Sequence, residues 1–407
     1  MEQRYDKTLW MTALILVGIG IVMIYSSSAI RAQERFDDPA FFLKRQLLWA
    51  LLSTVAMLWA MNVDYRHWER YAPVLLLVSL LLLLLVLVPG VGIKINGAKR
   101  WLRLAGFSFQ PSELAKFSLI VFLARLLAKK PERVGKVEGF LPPLFLVGTL
   151  FLLIALEPNI GTAIILLLIA FSMLFVGGCR ISHLFLTLLG AVPLVVGIVA
   201  AHPHAKARVL AILDPSRVSP RSLYQLHQSF YALGPGGLLG RGLGNGVQKL
   251  FYLPEPHTDF IFAIVGEEMG FIGSAFVVGL FGILLWRGTR ITLRTPDPFG
   301  GSLAMGITLA ITLQAAVNIG MVVGLLPTTG VPLPFISFGG SSLVVTLLGV
   351  GVLLNISKHA LTPNARLKTS ASRQTPTLSS PLNGEGVGGD VLVAGVWGLQ
   401  SGKRGKA

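Results

Sequence analysis

The sequence predicts an all-α integral membrane protein of about ten transmembrane helices, with one long extracytoplasmic loop between spans 7 and 8. Of its 407 residues 53% are hydrophobic and only 13% charged, and the mean hydropathy is +0.70. A water-soluble fold of this size does not reach such values. The apolar runs, such as APVLLLVSLLLLLLVLVPG, are also continuous rather than alternating, so the spans are helices and not the strands of a barrel.

The spans fall at Leu9–Ser27, Gln46–Met61, Ala72–Val91, Ser112–Leu127, Gly139–Leu156, Ile160–Gly177, His183–Ala201, Asp259–Trp286, Gly301–Leu325 and Phe335–Ser357. Each approaches the roughly 20 residues that cross about 30 Å of hydrocarbon. The first run exceeds a signal-peptide core and follows Lys7, so it reads as a retained helix. An even count places both termini on one side. Arg4, Lys7, Arg66, Arg70, Arg125, Lys129, Lys130, Arg133, Lys136, Arg180, Arg287, Arg290, Arg294 and Lys358 share that side and favour the cytoplasm for it. Residues 202–258 form the long outer loop, whose glycine-rich LLGRGLGNGVQ favours turns over helix. Residues 361–407, rich in Ser, Thr, Pro and Gly, read as a disordered cytoplasmic tail behind a polytopic domain of residues 1–360.

The formal net charge of +16 suggests nucleic acid in a soluble chain, but the low charged fraction points instead to loops held at an anionic membrane surface. Cys179 is the single cysteine, which excludes an intrachain disulfide or a cysteine-rich metal site. No HExxH or similar metal-ligand helix occurs, so no protein metal site is expected. Two groups of basic residues run against the charge bias. Arg31, Arg35, Lys44 and Arg45 precede span 2, and Lys94, Lys99, Arg100 and Arg103 precede span 4, all on the outer face.

Polar groups at membrane depth are costly, which makes each a functional candidate to be weighed against a packing role. They gather in NGAKRW…QPSELAK (Asn96 to Lys116), EPNIGT (Glu157 to Thr162), LPEPHTDFIFAIVGEEMG (Leu253 to Gly270) and PLPFISFGGSS (Pro332 to Ser342). Each cluster follows an odd-numbered span and opens an even-numbered one, so all four lie on one face. Such a set fits a cavity entered from that side, because irregular backbone is tolerated only where it lines protein or water. Ordinary helix capping is the alternative for any one of them.

Glu113 and Lys116 are three apart on one helix face and either form a structural ion pair or present Lys116 to an anion. Arg100 either forks onto a phosphate or anchors the interface with Trp101. Glu255, His257 and Asp259 fall within five residues at the start of span 8. A carboxylate there loses solvation, which suits it to accept a proton from a sugar hydroxyl, although Thr258 or Asp259 also suits a helix cap. Gly266 and Gly270 admit a closely packed helix, and Glu267 and Glu268 read as packing hydrogen-bond partners. Ser337 and Ser341 form one small polar strip, Gln314 and Asn318 another, each either helix glue or a set of substrate ligands.

Taken in order, GAKRW, QPSELAK, GNGVQKLFYLPEPHTDFIFAIVGEEMG and NIGMVVGLLPTTGVPLPFISFGGSS resemble the SEDS family (shape, elongation, division, sporulation) from about Tyr25 to Ser357. The early YSSSA and the long loop look more like the family's cell-division members, while GVPLPFISFGG is closer to its elongation members. The resemblance implies a glycosyltransferase that polymerises lipid II at the outer face of the bacterial inner membrane. It further implies a class B penicillin-binding protein as transpeptidase partner, other divisome membrane proteins nearby and a septal location. The family's essential acid carries over to Asp259, and its basic cavity residues to Arg100 and Lys116 with Glu113 beside them. Glu255, His257, Ser337 and Ser341 are expected to contact substrate. A divalent cation, Mg²⁺ or Mn²⁺, is expected on the substrate's pyrophosphate, with no organic cofactor. Where relatives read QPDLGT this chain reads EPNIGT, so Asn159 replaces an acid. A lipid II flippase, an elongation-type polymerase in cell-shape maintenance and a scaffold for the transpeptidase are the rival readings. No convincing internal repeat of the kind transporters carry is visible, and the four clusters face one side only.

Overall fold

The computed structural model describes residues 5–95, 98–104, 107–129 and 136–360. Asn96, Lys130, Arg133 and the tail 361–407, with the disorder expected of it, lie outside the described residues. Within them the chain forms α1 (Lys7–Phe36), α2 (Phe41–Asn62), α3 (Arg66–Leu87), α4 (Pro111–Lys129), α5 (Val137–Leu156), α6 (Ile160–Val176), α7 (Ile181–Ala201), α8 (Pro203–Leu213), α9 (Pro220–Gly236), α10 (Ile261–Arg294), α11 (Pro298–Val322) and α12 (Gly340–His359). Ten of these, α1 to α7 and α10 to α12, coincide with the expected spans. Eight are long and apolar enough to cross a membrane, α6 is a shorter apolar helix of 17 residues, and α4 carries Glu113 and Lys116 inside its apolar run.

Three departures from the sequence reading have local causes. The long loop between α7 and α10 contains α8 and α9, each opened by a proline, Pro203 and Pro220, whose fixed φ suits a first helical turn. The fold is not wholly α-helical: β1 (Ile93–Ile95), β2 (Ala98–Leu104) and β3 (Phe107–Phe109) form a small antiparallel sheet before α4, in segments too short to stand out beside 20-residue apolar runs. The last span begins at Gly340 rather than Phe335, because Pro332 and Pro334 interrupt helix and Phe335 takes φ 67°.

Small residues set the closest helix approaches, as expected where lipid supplies no hydrophobic drive between helices. Gly351 of α12 lies against the Met57 carbonyl of α2, and Gly340 lies against the Trp49 indole. Gly20 of α1 faces the backbone of Phe335 and Ile336. At the opposite end of the bundle Asp6 accepts from Arg287 (Nε, 2.8 Å) and caps α1 through Leu9 N–H, while its own N–H donates to Ser357. That one residue joins α1, α10 and α12.

Glu267 and Glu268 are fully buried on α10, beside a kink at Gly270 (φ 66°). Their carboxylates hold the glycine-rich stretch of the outer loop. Glu267 accepts from the N–H groups of Val247 (2.7 Å) and Gln248 (3.2 Å), and Glu268 from the N–H of Gly244 (3.0 Å), from Ser26 (2.7 Å) and from Lys249 Nζ (2.8 Å). They are the packing partners the sequence suggests, and their acceptors are filled by main-chain donors and a buried ammonium. The loop backbone presses on α10 so closely that a Cβ at Gly240 would lie 2.2 Å from the Glu268 carbonyl oxygen, at a φ of 78°. Gly240→Ala is therefore expected to destabilise the protein by roughly 2 kcal/mol or more and to expose the 237–250 loop to protease. Thermal unfolding in detergent, together with limited proteolysis, measures this, and an unchanged transition would refute the clasp.

Candidate functional site

Two irregular segments, 253–260 ahead of α10 and 327–339 ahead of α12, meet at one end of the bundle. Their main-chain groups are satisfied by each other and by side chains. Asn318 of α11 donates from Nδ2 to the carbonyls of both Asp259 (2.7 Å) and Val331 (2.7 Å). Ser337 donates to the Thr258 carbonyl (2.6 Å) and accepts from Leu333 N–H (2.8 Å), and Phe338 N–H donates to the His257 carbonyl (2.9 Å). Asn318 thus holds the Asp259 carbonyl, Ser337 and Phe338 hold the carbonyls of the two residues before it, and Thr258 Oγ1 lies 2.8 Å from Asp259 Oδ1.

The Asp259 carboxyl keeps partial access to solvent while its surroundings are protein. Burial raises its pKa above the usual carboxylate range, against the opposing pull of Thr258, Arg208 and Arg100. Folding is favoured by its protonated form, and that contribution is lost as pH rises through the raised value. Gly330, at φ 70°, brings the chain alongside: a Cβ there would lie 3.8 Å from Arg208 Nη1 and 3.9 Å from Asp259 Oδ2. Arg208 comes from α8 in the outer loop. Arg100 comes from β2, where the period of two places it with Ala98 and Leu102 on the buried face. Burial lowers the Arg100 pKa and Arg208 lowers it further, while Glu157 and Asp259 oppose them. Arg100, Arg208, Asp259 and Glu157 thus act on one another as a cluster of two cations and two acids. The four polar clusters of the sequence contribute to this one end, as their parity requires.

Comparison with known proteins then places the chain. A family model described as "Cell cycle protein", built around FtsW, RodA and SpoVE, matches residues 6–362. The chain belongs to this SEDS family. It is similar to the stage V sporulation protein E of Bacillus subtilis, 46% identical over 357 residues, which cover 87% of this chain and 97% of that protein. It is equally similar, 46% over 355 residues covering 87% and 93%, to a probable peptidoglycan glycosyltransferase FtsW of Trichlorobacter lovleyi. Among solved structures, a chain of a peptidoglycan synthase complex that coordinates polymerization and crosslinking superposes with a TM-score of 0.72 at 31% identity, over 87% of this chain and 98% of that one. The rod shape determining protein RodA of Thermus thermophilus gives 0.66 at 30% identity, over 88% and 98%.

Against this SEDS frame the expected site residues divide into groups. Arg100 and Asp259 come together. Glu113 and Lys116 form a buried ion pair at 3.0 Å, and Lys116 Nζ also donates to Gln314 Oε1 (2.6 Å), whose amide donates to the Pro332 carbonyl (3.0 Å). This group lines a narrow, otherwise mainly apolar cleft between α4, α11 and α12 and reaches the 327–339 segment through Gln314. Glu255 and His257 turn towards α1 and α2. Glu255, at φ 47°, lies 3.9 Å from Arg31 and 3.5 Å from His257, whose ring sits between Phe42 (4.3 Å) and Phe338 (5.7 Å). Burial lowers the His257 pKa to about 4, so it is a neutral wedge at neutral pH. The Ser337 hydroxyl is taken up by the backbone clamp, and Ser341 is buried without a hydrogen-bond partner. Asn159 donates to Ser112 (3.3 Å).

The sequence reading missed Arg208 and left Glu157 without a role. Arg208 sits in a short helix of a polar loop, where nothing in the spacing singles it out. Glu157 carried a signal, a carboxylate at the junction of two apolar helices.

The ion pair at α4 gives a measurable expectation. Lys116→Met leaves Glu113 as an unpaired buried carboxylate and costs about 3–5 kcal/mol in thermal unfolding, while the double variant Lys116→Met, Glu113→Leu regains much of the loss. Additive losses would refute the pairing.

Proposed function

We propose that the chain is a peptidoglycan glycosyltransferase that polymerises lipid II at the outer face of the bacterial inner membrane, in septal wall synthesis, with both termini cytoplasmic. The observation that carries the reading is the juxtaposition of a clamped, partly accessible Asp259 with the guanidinium groups of Arg100 and Arg208, neither of which forms an ion pair among the described residues. Asp259 takes the proton from the 4-hydroxyl of the acceptor GlcNAc as that oxygen attacks the anomeric carbon of the donor MurNAc. The bond from that carbon to the pyrophosphate breaks, and undecaprenyl pyrophosphate leaves. Arg100 and Arg208 meet the charge that develops on the leaving group, the arrangement that accelerates such reactions by electrostatic stabilisation. Lys116 acts deeper, holding the cleft wall through Glu113 and Gln314.

A divalent cation enters only as a counterion of the substrate's pyrophosphate. The charged groups acting on Asp259 are guanidinium ions, which compete with a metal for the carboxylate, and the described residues offer no cluster of three His, Cys, Asp or Glu for one. The names of its relatives support the reaction, and the similarity to a chain of a synthase complex supports a class B penicillin-binding protein as partner.

The test is lipid II polymerisation followed on a gel, with Mg²⁺ and the cognate class B transpeptidase, for wild type and Asp259→Asn. The wild type is expected to build glycan strands and the variant to lose them by about 100-fold or more, with a melting temperature no lower than that of the wild type. Because the base works ionised, wild-type activity is expected to rise with pH through the raised Asp259 pKa. Equal polymerisation by both proteins would make Asp259 structural. Absence of polymerisation in the wild type would favour a flippase or scaffold.

A further inference from the structure

Glu157 follows the last residue of α5, and Pro158 after it bars the helix from continuing into α6. Its side chain is fully buried, and neither carboxyl oxygen has a hydrogen-bond partner. The other fully buried carboxylates among the described residues behave differently. Glu113 has Lys116, Glu268 has Lys249, and Glu267 has two main-chain donors. An ionised carboxylate in the position of Glu157 would bear its whole desolvation cost uncompensated.

The charged group acting on Glu157 is Arg100, and the Arg100 Nε is itself buried without a partner. The charged groups that face this corner are Arg100 from β2, Arg208 from α8 and Asp259 from the segment before α10. Glu113 and Lys116 on α4 are closed on each other, and Ser112 and Asn159 are neutral. A guanidinium that acts electrostatically on a carboxyl without bonding to it is a cation with its charge uncommitted.

We propose that Glu157 is a positioning residue for Arg100: as a neutral acid behind the guanidinium it leaves that charge free for the pyrophosphate of a lipid-linked substrate, and when ionised it captures Arg100 and closes the anion site. The assignment rests on the polymerase reading for the identity of the anion. With Glu157 neutral and Asp259 ionised, the cluster carries one net positive charge. Ionising Glu157 takes it to zero, and the attraction for a phosphate goes with it.

Burial sets the window, raising the Glu157 pKa to about 8 against the opposing pull of Arg100. The neutral form therefore prevails at physiological pH and gives way in mild alkali. A phosphate oxygen with its second pKa near about 6 gains no further charge above about pH 8, so weakened binding there has no origin in the ligand.

The experiment measures binding of a short-chain polyprenyl pyrophosphate to the purified full chain in detergent at about pH 7 and about pH 9. Wild type is expected to lose about tenfold in affinity over that range, as a one-charge change in the cluster requires. Glu157→Gln, held neutral, should rescue binding at the higher pH, and Glu157→Ala should do the same if its melting temperature shows it folded. Arg100→Gln should bind weakly and without pH dependence. A Glu157→Gln protein that binds tenfold more weakly at about pH 7 would overturn the proposal, because Glu157 would then be an ionised partner that orients Arg100. A wild type with equal affinity at both pH values would overturn it too. Polymerisation is assayed in parallel: if the pH-dependent binding holds and no glycan strand forms, the polymerase reading fails and the role of Glu157 stands.

Discussion

Two stretches of non-helical backbone can lie at one end of this bundle because they satisfy each other's hydrogen bonds. Segment 253–260 and segment 327–339 are joined by Asn318, which spans the carbonyls of Asp259 and Val331, and by Ser337 and Phe338, which reach the carbonyls of Thr258 and His257. Without water at membrane depth, an unmade main-chain bond costs several kcal/mol, so this cross-bracing is a condition for having any irregular polar site there. The helices around it are arranged to permit it. Gly20 lets α1 reach the second segment, and Glu267 and Glu268 hold the loop that leads into the first.

Charge is distributed with the same economy. Away from the site every fully buried carboxylate among the described residues is paired, Glu113 with Lys116 and Glu268 with Lys249, or filled by main-chain donors, as for Glu267. Where Arg100, Arg208, Asp259 and Glu157 meet, the pairing is left incomplete. Structural electrostatics close on themselves, whereas in this corner Arg100 Nε and both Glu157 carboxyl oxygens are buried without a hydrogen-bond partner. Of the basic residues before span 4 that run against the charge bias, Arg100 is carried by β2 into this cluster.

Most of the architecture was legible because a 20-residue apolar run is written in consecutive residues and needs no tertiary information. Ten spans and the common face of four polar clusters followed from counting. What stayed hidden depends on contacts between distant segments. Arg208 resembles any surface arginine until α8 folds it against Asp259 and Gly330. Ser337 and His257, expected at the substrate, are engaged by the backbone clamp and by an aromatic cage of Phe42 and Phe338, which only packing reveals. The small sheet that presents Arg100 was masked by its short strands.

The helix α7 has no buried residue along its 21 positions. Its inward contacts come from Leu184, Val195 and Ile198, partly buried against the core, and from the His183 ring 5.6 Å from that of Phe140. Along the rest of the helix the need is for length and oiliness, and nearly any exchange among Leu, Ile, Val, Phe and Ala would meet it. The loop clasped against Glu268 sits at the other extreme, since a single added methyl at Gly240 has nowhere to go. One chain thus carries a stretch where sequence can wander almost freely and another where it can scarcely move, and a randomised library across both would recover composition from the first and identity from the second.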